Sequence, residues 1–337
     1  FGGVTDINGD QRIVVFVSPV VADLEAVAFV WTLDFFPKVE EMRDGVTWEG
    51  CPASNAMEMM RIDHDLIKGI SSGNFGALGT VVHEAKHVSS VYQSLFRGDF
   101  QPLWVEEGVA EIAEETAARI AWAAVGGPPV GAMADGNDLD VWTEENYAVV
   151  SVSARTVRYL SSQPNGVVVT PLGAATGHSV YGSGWHFHRW LGDAYGGAAT
   201  ALADSALFRA QNDSLSLGGP DAYPDLVGKT FSELMEEYAL AIMLNGTGAP
   251  QPDRAFTSVD FPSAMAASSV YSASVRPLGN YPWPVTWTDD APGTVSLETA
   301  SYFGRMGESG IRIHDFTSNG TGQGAEMAVT APALARF

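Results

Sequence analysis

Cysteine is nearly absent from this chain. Cys51 is the only one in 337 residues, so an intrachain disulfide is excluded and catalysis through paired thiols has no basis. One cysteine fits either a cytoplasmic protein or a secreted one that folds without disulfides. Basic residues are scarce too: 18 Lys and Arg stand against 40 Asp and Glu, for a formal net charge of −22. That balance argues against nucleic acid and anionic membranes as partners, favours solubility, and would attract cationic substrates. Long apolar runs are also missing. The most apolar stretch, Ile13 to Trp31, is interrupted by Pro19, Asp23 and Glu25 and predicts no membrane span. Phe1-Gly2-Gly3 has neither the charged nor the apolar region of a signal peptide and reads as a trimmed or mature boundary.

What the chain does have is enough apolar residues, 46%, to build a full core in two or three units. It also has His83-Glu84-Ala85-Lys86-His87, an H-E-x-x-H pentapeptide. Leu78, Val81, Val82, Ala85, Val88, Tyr92, Leu95 and Phe96 recur around it at helical spacing, and Arg97-Gly98-Asp99 supplies a stop. A helix over 76–97 follows. Spacing i, i+4 puts both imidazoles on one face, where they can share a tetrahedral Zn²⁺. Glu84, beside the first histidine, is suited to take a proton from water activated by that metal. The pentapeptide predicts a metal-dependent hydrolase, foremost a peptidase.

Two histidines leave a catalytic zinc one protein ligand short. A third histidine six residues beyond His87 would complete one known form of the motif, but Gln93 stands there. Leu103-Trp104-Val105-Glu106-Glu107-Gly108-Val109-Ala110-Glu111 opens a second helix, predicted over 103–122, with Glu107 and Glu111 on one face. One of them can bind metal while the other accepts a hydrogen bond from a ligating histidine.

These residues resemble the gluzincin zinc metallopeptidases, which pair H-E-x-x-H with a glutamate on a following helix. The Trp-x-x-Glu-Gly-x-Ala form looks most like the hyicolysin-type neutral metalloproteases. Asp6-Ile7-Asn8-Gly9-Asp10, Ser54-Asn55, Tyr181-Gly182-Ser183 and Gly228-Lys229-Thr230-Phe231 add weaker similarity, so the resemblance spans about residues 1–245. It implies Zn²⁺ held by His83, His87 and Glu107, Glu84 as the catalytic glutamate, and Glu111 oriented toward His83. It also implies a location outside the cell or in its envelope. Glu106 departs from the pattern, because relatives often carry Asn there; Glu107 is preferred as ligand since only it has an acidic partner at i+4. The resemblance further implies an oxyanion-stabilising donor downstream, with Tyr181 first and His178 second; His188 shares the helical face of Tyr181.

The fold expected is α+β: a zincin-like catalytic domain followed by a small all-β domain. Residues 1–75 form its N-terminal β-sheet part, with strands over 12–21, 27–36 and 55–62. In zincin architecture the strand bordering the cleft pairs with extended substrate, and Ala56, Met57, Glu58 and Met59 are the candidates. Asp6 to Asp10 resembles the start of a calcium loop, yet Val17 occupies the twelfth position where Glu is needed, so a turn is expected rather than a Ca²⁺ site. Residues 76–248 form the helical part, with further helices over 142–161, 180–195, 197–211 and 230–244. The last begins with a capping box at Thr230-Phe231-Ser232-Glu233, and a loop over 126–140 interrupts the series. Residues 249–337 turn to Ser, Thr, Pro and Gly with short strand patterns over 268–276, 283–288, 294–303, 310–316 and 325–331, a β-sandwich-like appendage.

The expected activity is that of a zinc endopeptidase acting on peptide or protein. No Gly-Ala-Met-Glu-Asn-type motif is present to anchor a free amine. Two alternatives stay open: hydrolysis of non-peptide amides or esters at the same centre, and a non-catalytic peptide-binding protein of the same fold.

Overall fold

A computed structural model describes residues 6–43, 45–71, 75–97, 100–124, 179–197, 202–213, 219–245, 252–258, 284–288 and 313–317. Over these the protein is a mixed α/β structure, mostly helical, with small sheets.

The N-terminal part contains β1 (Val14–Val17), the short helix α1 (Val20–Asp23) and β2 (Ala28–Val30). A 3₁₀ turn (Thr32–Phe35) leads to a hairpin of β3 (Glu41–Arg43) and β4 (Val46–Trp48), and β5 (Met59–Ile62) follows. The two strands expected over 12–21 and 27–36 are therefore shorter. Pro19 cannot extend a ladder, and residues 32–35 turn so that Asp34 can be buried. The Asp34 carboxylate accepts hydrogen bonds from the Asn55 backbone N–H and side-chain amide, at 3.2 and 2.7 Å, and pairs with Arg61. The β3–β4 hairpin escaped the sequence reading although Asp44-Gly45 is a hairpin signal, and Gly45 takes the required positive φ of 79°.

The main sheet has the order β1-β5-β2, with β5 parallel to β1 and antiparallel to β2. This corrects one expectation. Met59 lies on the central strand, in register with Val14, and both edges of β5 are occupied. Just before it, the Met57 N–H donates to the Asp34 carbonyl at 2.9 Å and the Glu58 carbonyl accepts from Val14 at 2.8 Å. Glu58 and Met59 are buried. Met59 thus has no free edge to offer an extended substrate, and the Met57 N–H and Glu58 carbonyl of the expected substrate segment Ala56, Met57, Glu58 and Met59 are already bonded within the N-terminal part. No metal-competent group of three or more His, Cys, Asp or Glu is found at the Asp6–Asp10 turn among the described residues. There Asp6 instead accepts backbone N–H groups from Gly9, Asp10 and Gln11.

The helical part begins with α2 (His64–Ser71), then α3 (Phe75–Arg97) and α4 (Leu103–Ala124). One face of α3 presents Val81, Ala85, Val88 and Tyr92 to Phe35, Met60 and Ile62 of the N-terminal part, forming a hydrophobic core. Its other face carries His83, Lys86, His87 and Ser90 at i, i+3, i+4 and i+7, against α4. α4 also packs along α5 (Ser179–Leu191). Two glycines make that crossing close: a Cβ on Gly184 would stand 2.9 Å from both the Gly108 Cα and the Trp104 carbonyl oxygen. After α5 a π-helical turn (Gly192–Gly196) precedes α6 (Ser205–Asp213), α7 (Tyr223–Val227) and α8 (Phe231–Leu244).

That π turn directs Asp193 into a buried ionic network. Arg189 is fully buried and pairs with Glu115, Asp193 and Asp204 at 3.2, 2.9 and 2.8 Å; Arg119 joins it through Asp204 at 3.1 Å. The second Asp193 oxygen accepts from the backbone N–H groups of Thr257 and Ser258, tying residues 252–258 to the helices. The capping box expected on α8 is present: the Thr230 hydroxyl accepts from the Glu233 N–H, and the Glu233 carboxylate accepts from the Thr230 N–H.

The loop expected over 126–140 and the helix over 142–161 lie outside the described residues. Of the strands expected beyond residue 249, β6 (Pro284–Thr288) and β7 (Ile313–Thr317) are described, and they pair in parallel. The other expected strands of the appendage lie outside the described residues. No described helix is long and apolar enough to cross a membrane.

Candidate metal centre

His83 and His87 project from consecutive turns of α3 with ring centroids 4.7 Å apart. Glu107 projects from the second turn of α4 into the space between them. Its Oε2 lies 3.2 Å from the His83 Nε2 and 3.4 Å from the His87 Nε2. A tetrahedral zinc with bonds of about 2.0–2.1 Å needs its ligand atoms about 3.3 Å apart. Both distances from Glu107 to the histidines match that spacing, all three donors lie within 4.8 Å of one another, and the residue set fits the ion.

Carboxylates stand behind both imidazoles, within hydrogen-bond distance at His87 and somewhat farther off at His83. The His83 Nδ1 faces Glu114 at 3.6 Å and Glu111 at 4.0 Å, while the His87 Nδ1 meets the Glu106 carboxylate at 2.8 Å. A carboxylate on Nδ1–H fixes the tautomer that leaves the Nε2 lone pair for a metal. The sequence assigned this task to Glu111 alone. Glu114 is closer to His83, and it extends the Glu107, Glu111 series to i+7, a signal that was legible but unread. Glu106, which the sequence treated as a rival ligand, sits on the Nδ1 side of His87 instead. His83, Glu111 and Glu114 also form a second donor group within 4.8 Å, but it shares His83 with the first.

The electrostatics of the metal-free site follow from this crowding. Burial alone would lower both histidine pKa values, but it is outweighed. Glu107, Glu114 and Glu111 hold His83 well above its ordinary 6.5, and Glu107 with Glu106 raises His87. Burial would raise the Glu106 pKa, yet Lys86 and His87 bring it down to about 2. Glu107 is lowered likewise by the two histidines against its burial.

Glu84 is different. It is buried, its Oε2 has no hydrogen-bond partner among the described residues, and desolvation raises its pKa above the ordinary 4.5. A carboxylate with a bare oxygen beside a metal-competent triad is equipped to bind and deprotonate water.

Tyr181, in the first turn of α5, is half-buried with its ring centroid 6.3 Å from that of His83. His178 lies outside the described residues. His188, which shares the Tyr181 face in sequence, is turned away from the centre. Its Nδ1 donates to the Gly184 carbonyl at 2.7 Å, its Nε2 accepts from Gln211 at 3.2 Å, and its ring packs near Trp104. Burial pushes its pKa down to about 4, so it is a neutral core histidine.

No protein-family model matches the chain, and no curated protein shows significant similarity to it.

Proposed function

We propose that this protein is a zinc-dependent endopeptidase with a zincin-like catalytic domain of the gluzincin type. The observation that carries the reading is the approach of the Glu107 Oε2 to the His83 Nε2 and the His87 Nε2, at 3.2 and 3.4 Å, on α3, the helix that also carries the buried Glu84 with an oxygen unpartnered among the described residues. A structural zinc site has no use for such a carboxylate.

When bound, zinc supplies Lewis-acid polarisation of the scissile carbonyl and acidifies water. The chain's own residues do the rest. Glu84 takes the proton of the attacking water, helped by a raised pKa that makes its carboxylate a stronger base, and passes it to the leaving amine. Tyr181, whose ring lies 6.3 Å from that of His83, is the candidate to donate its O–H to the developing oxyanion. Glu106, Glu111 and Glu114 hold the imidazoles in orientation. For substrate, β2 is a better candidate than the segment before β5. It packs against α3, and among the described residues no strand pairs with its outer edge. An extended peptide would add there through backbone hydrogen bonds. The net charge of −22 favours cationic peptides.

The test is cleavage of an amine-blocked fluorogenic peptide library by zinc-loaded protein, alongside Glu84→Gln. Glu84→Gln keeps one zinc per chain and loses about 10²–10⁴-fold in turnover. Retention of wild-type turnover overturns the role of Glu84. A zinc-loaded wild type that cleaves no peptide overturns the endopeptidase reading in favour of another amide, an ester, or binding alone.

A further inference from the structure

Lys86 occupies a variable position of the H-E-x-x-H motif, yet it is among the most constrained residues of the site. In a chain carrying only 18 basic residues, this one lies on the ligand face of α3 with its side chain only 9% exposed. Its Nζ is 2.7 Å from the Glu106 Oε2 and donates to the Glu106 backbone carbonyl at 2.9 Å. The other carboxylate oxygen, Oε1, accepts from the His87 Nδ1 at 2.8 Å and from the Ser90 hydroxyl. Ser90 in turn lies 3.1 Å from the Lys86 carbonyl, one turn back on the same helix. Lys86, His87 and Ser90 of α3 therefore all meet one side chain of α4.

The chemistry of this arrangement is specific. A buried carboxylate orients an imidazole well only while ionised, and a buried ion requires a counter-charge. A neutral amide acceptor would require none.

We infer that Glu106 is a positioning residue for His87 and that Lys86 is the counter-ion keeping it in that role, so that the pair acts as one clamp on the metal ligand. Lys86 thereby couples the motif on α3 to α4 at a second point, independent of Glu107. The inference rests on the reading of His83, His87 and Glu107 as metal ligands, and not on the nature of the substrate.

The experiment compares the full-length wild type with Lys86→Met, Lys86→Met/Glu106→Gln and Lys86→Met/Glu106→Leu. Zinc affinity is measured by competition with a chromophoric chelator. The hydrogen-bonded Nδ1 proton of His87 is followed by NMR in the zinc-loaded, histidine-labelled protein. Lys86→Met lowers affinity about 10–100-fold, the range for loss of a partner that orients a metal-bound histidine. Adding Glu106→Gln restores affinity to within about threefold and restores the Nδ1 proton signal, since an amide oxygen accepts without a counter-ion. Adding Glu106→Leu restores neither. If Lys86→Met fails to fold, the two double variants, which carry no unpaired charge at the clamp, still give the comparison. Lys86→Met with wild-type affinity, or a Gln variant no better than the Leu variant, overturns the clamp. A wild type that takes up no zinc overturns the metal-site reading itself.

Discussion

Gly184→Ala is the substitution for which two general rules demand opposite results. In a helix interior Ala is favoured over Gly by about 1 kcal/mol, so propensity alone makes the variant more stable. Packing says the reverse. The new methyl would stand 2.9 Å from the Gly108 Cα and from the Trp104 carbonyl oxygen, and both are backbone atoms of α4 that cannot rotate aside. Ordinary contact begins near 3.4 Å, so α5 must retreat from α4 by about half an ångström. Overpacking of this kind costs about 1–3 kcal/mol, which exceeds the propensity gain over most of its range. The net expectation is a loss of up to about 2 kcal/mol, a fall in Tm of about 2–8 °C for a domain of this size. A second consequence concerns the site. Tyr181 rides on α5 one turn earlier, whereas the metal ligands belong to α3 and α4. Turnover therefore falls more than zinc affinity. Scanning calorimetry and zinc titration of the same sample check both parts. A variant about 1 kcal/mol more stable than wild type would refute the close helix crossing.

Other outcomes follow from the same geometry. Because the surrounding carboxylates raise the His83 and His87 pKa values, zinc uptake near neutral pH releases protons, measurable by calorimetry in buffers of different ionisation enthalpy. Their raised values mean that the stability they lend the metal-free chain is complete below the unfolded pKa and disappears as pH rises through the folded one. The Tm gain on adding zinc consequently grows from pH 6 to pH 9, and a gain that shrinks over that range contradicts the assignment. Zinc at a hundred times its Kd adds about 2.7 kcal/mol, all of it removed by chelation. Arg189→Met leaves Glu115 and Asp204 with Arg119, takes from Asp193 its ion pair, and destabilises by about 3–5 kcal/mol in urea unfolding; a change under 1 kcal/mol shows the network to be dispensable.

By itself the sequence determined those features whose physics is local. An i, i+4 spacing puts His83 and His87 on one helix face whatever surrounds them, just as Thr230 and Glu233 form a capping box wherever a helix starts there. The extents of α3 and α4 were legible for the same reason, since their periodic apolar faces match the core they meet. Tertiary structure alone decided which carboxylate faces which nitrogen. Glu106 and Glu107 are adjacent in sequence, and i+4 logic told them apart only as ligand and neighbour. The crossing of α3 and α4 put one on the Nε2 side of the histidines and the other on the Nδ1 side of His87 with Lys86. The same holds for β5, because local pattern marks a strand but not its place in a sheet, and pairing on both edges depends on segments more than forty residues before it and nearly thirty before it. It holds for His188 as well, whose spacing from Tyr181 suggested a shared role until the approach of Gly108 and Gly184 enclosed it against Trp104. Periodicity specifies what one element presents. Only the packing of several elements specifies what each presented group meets.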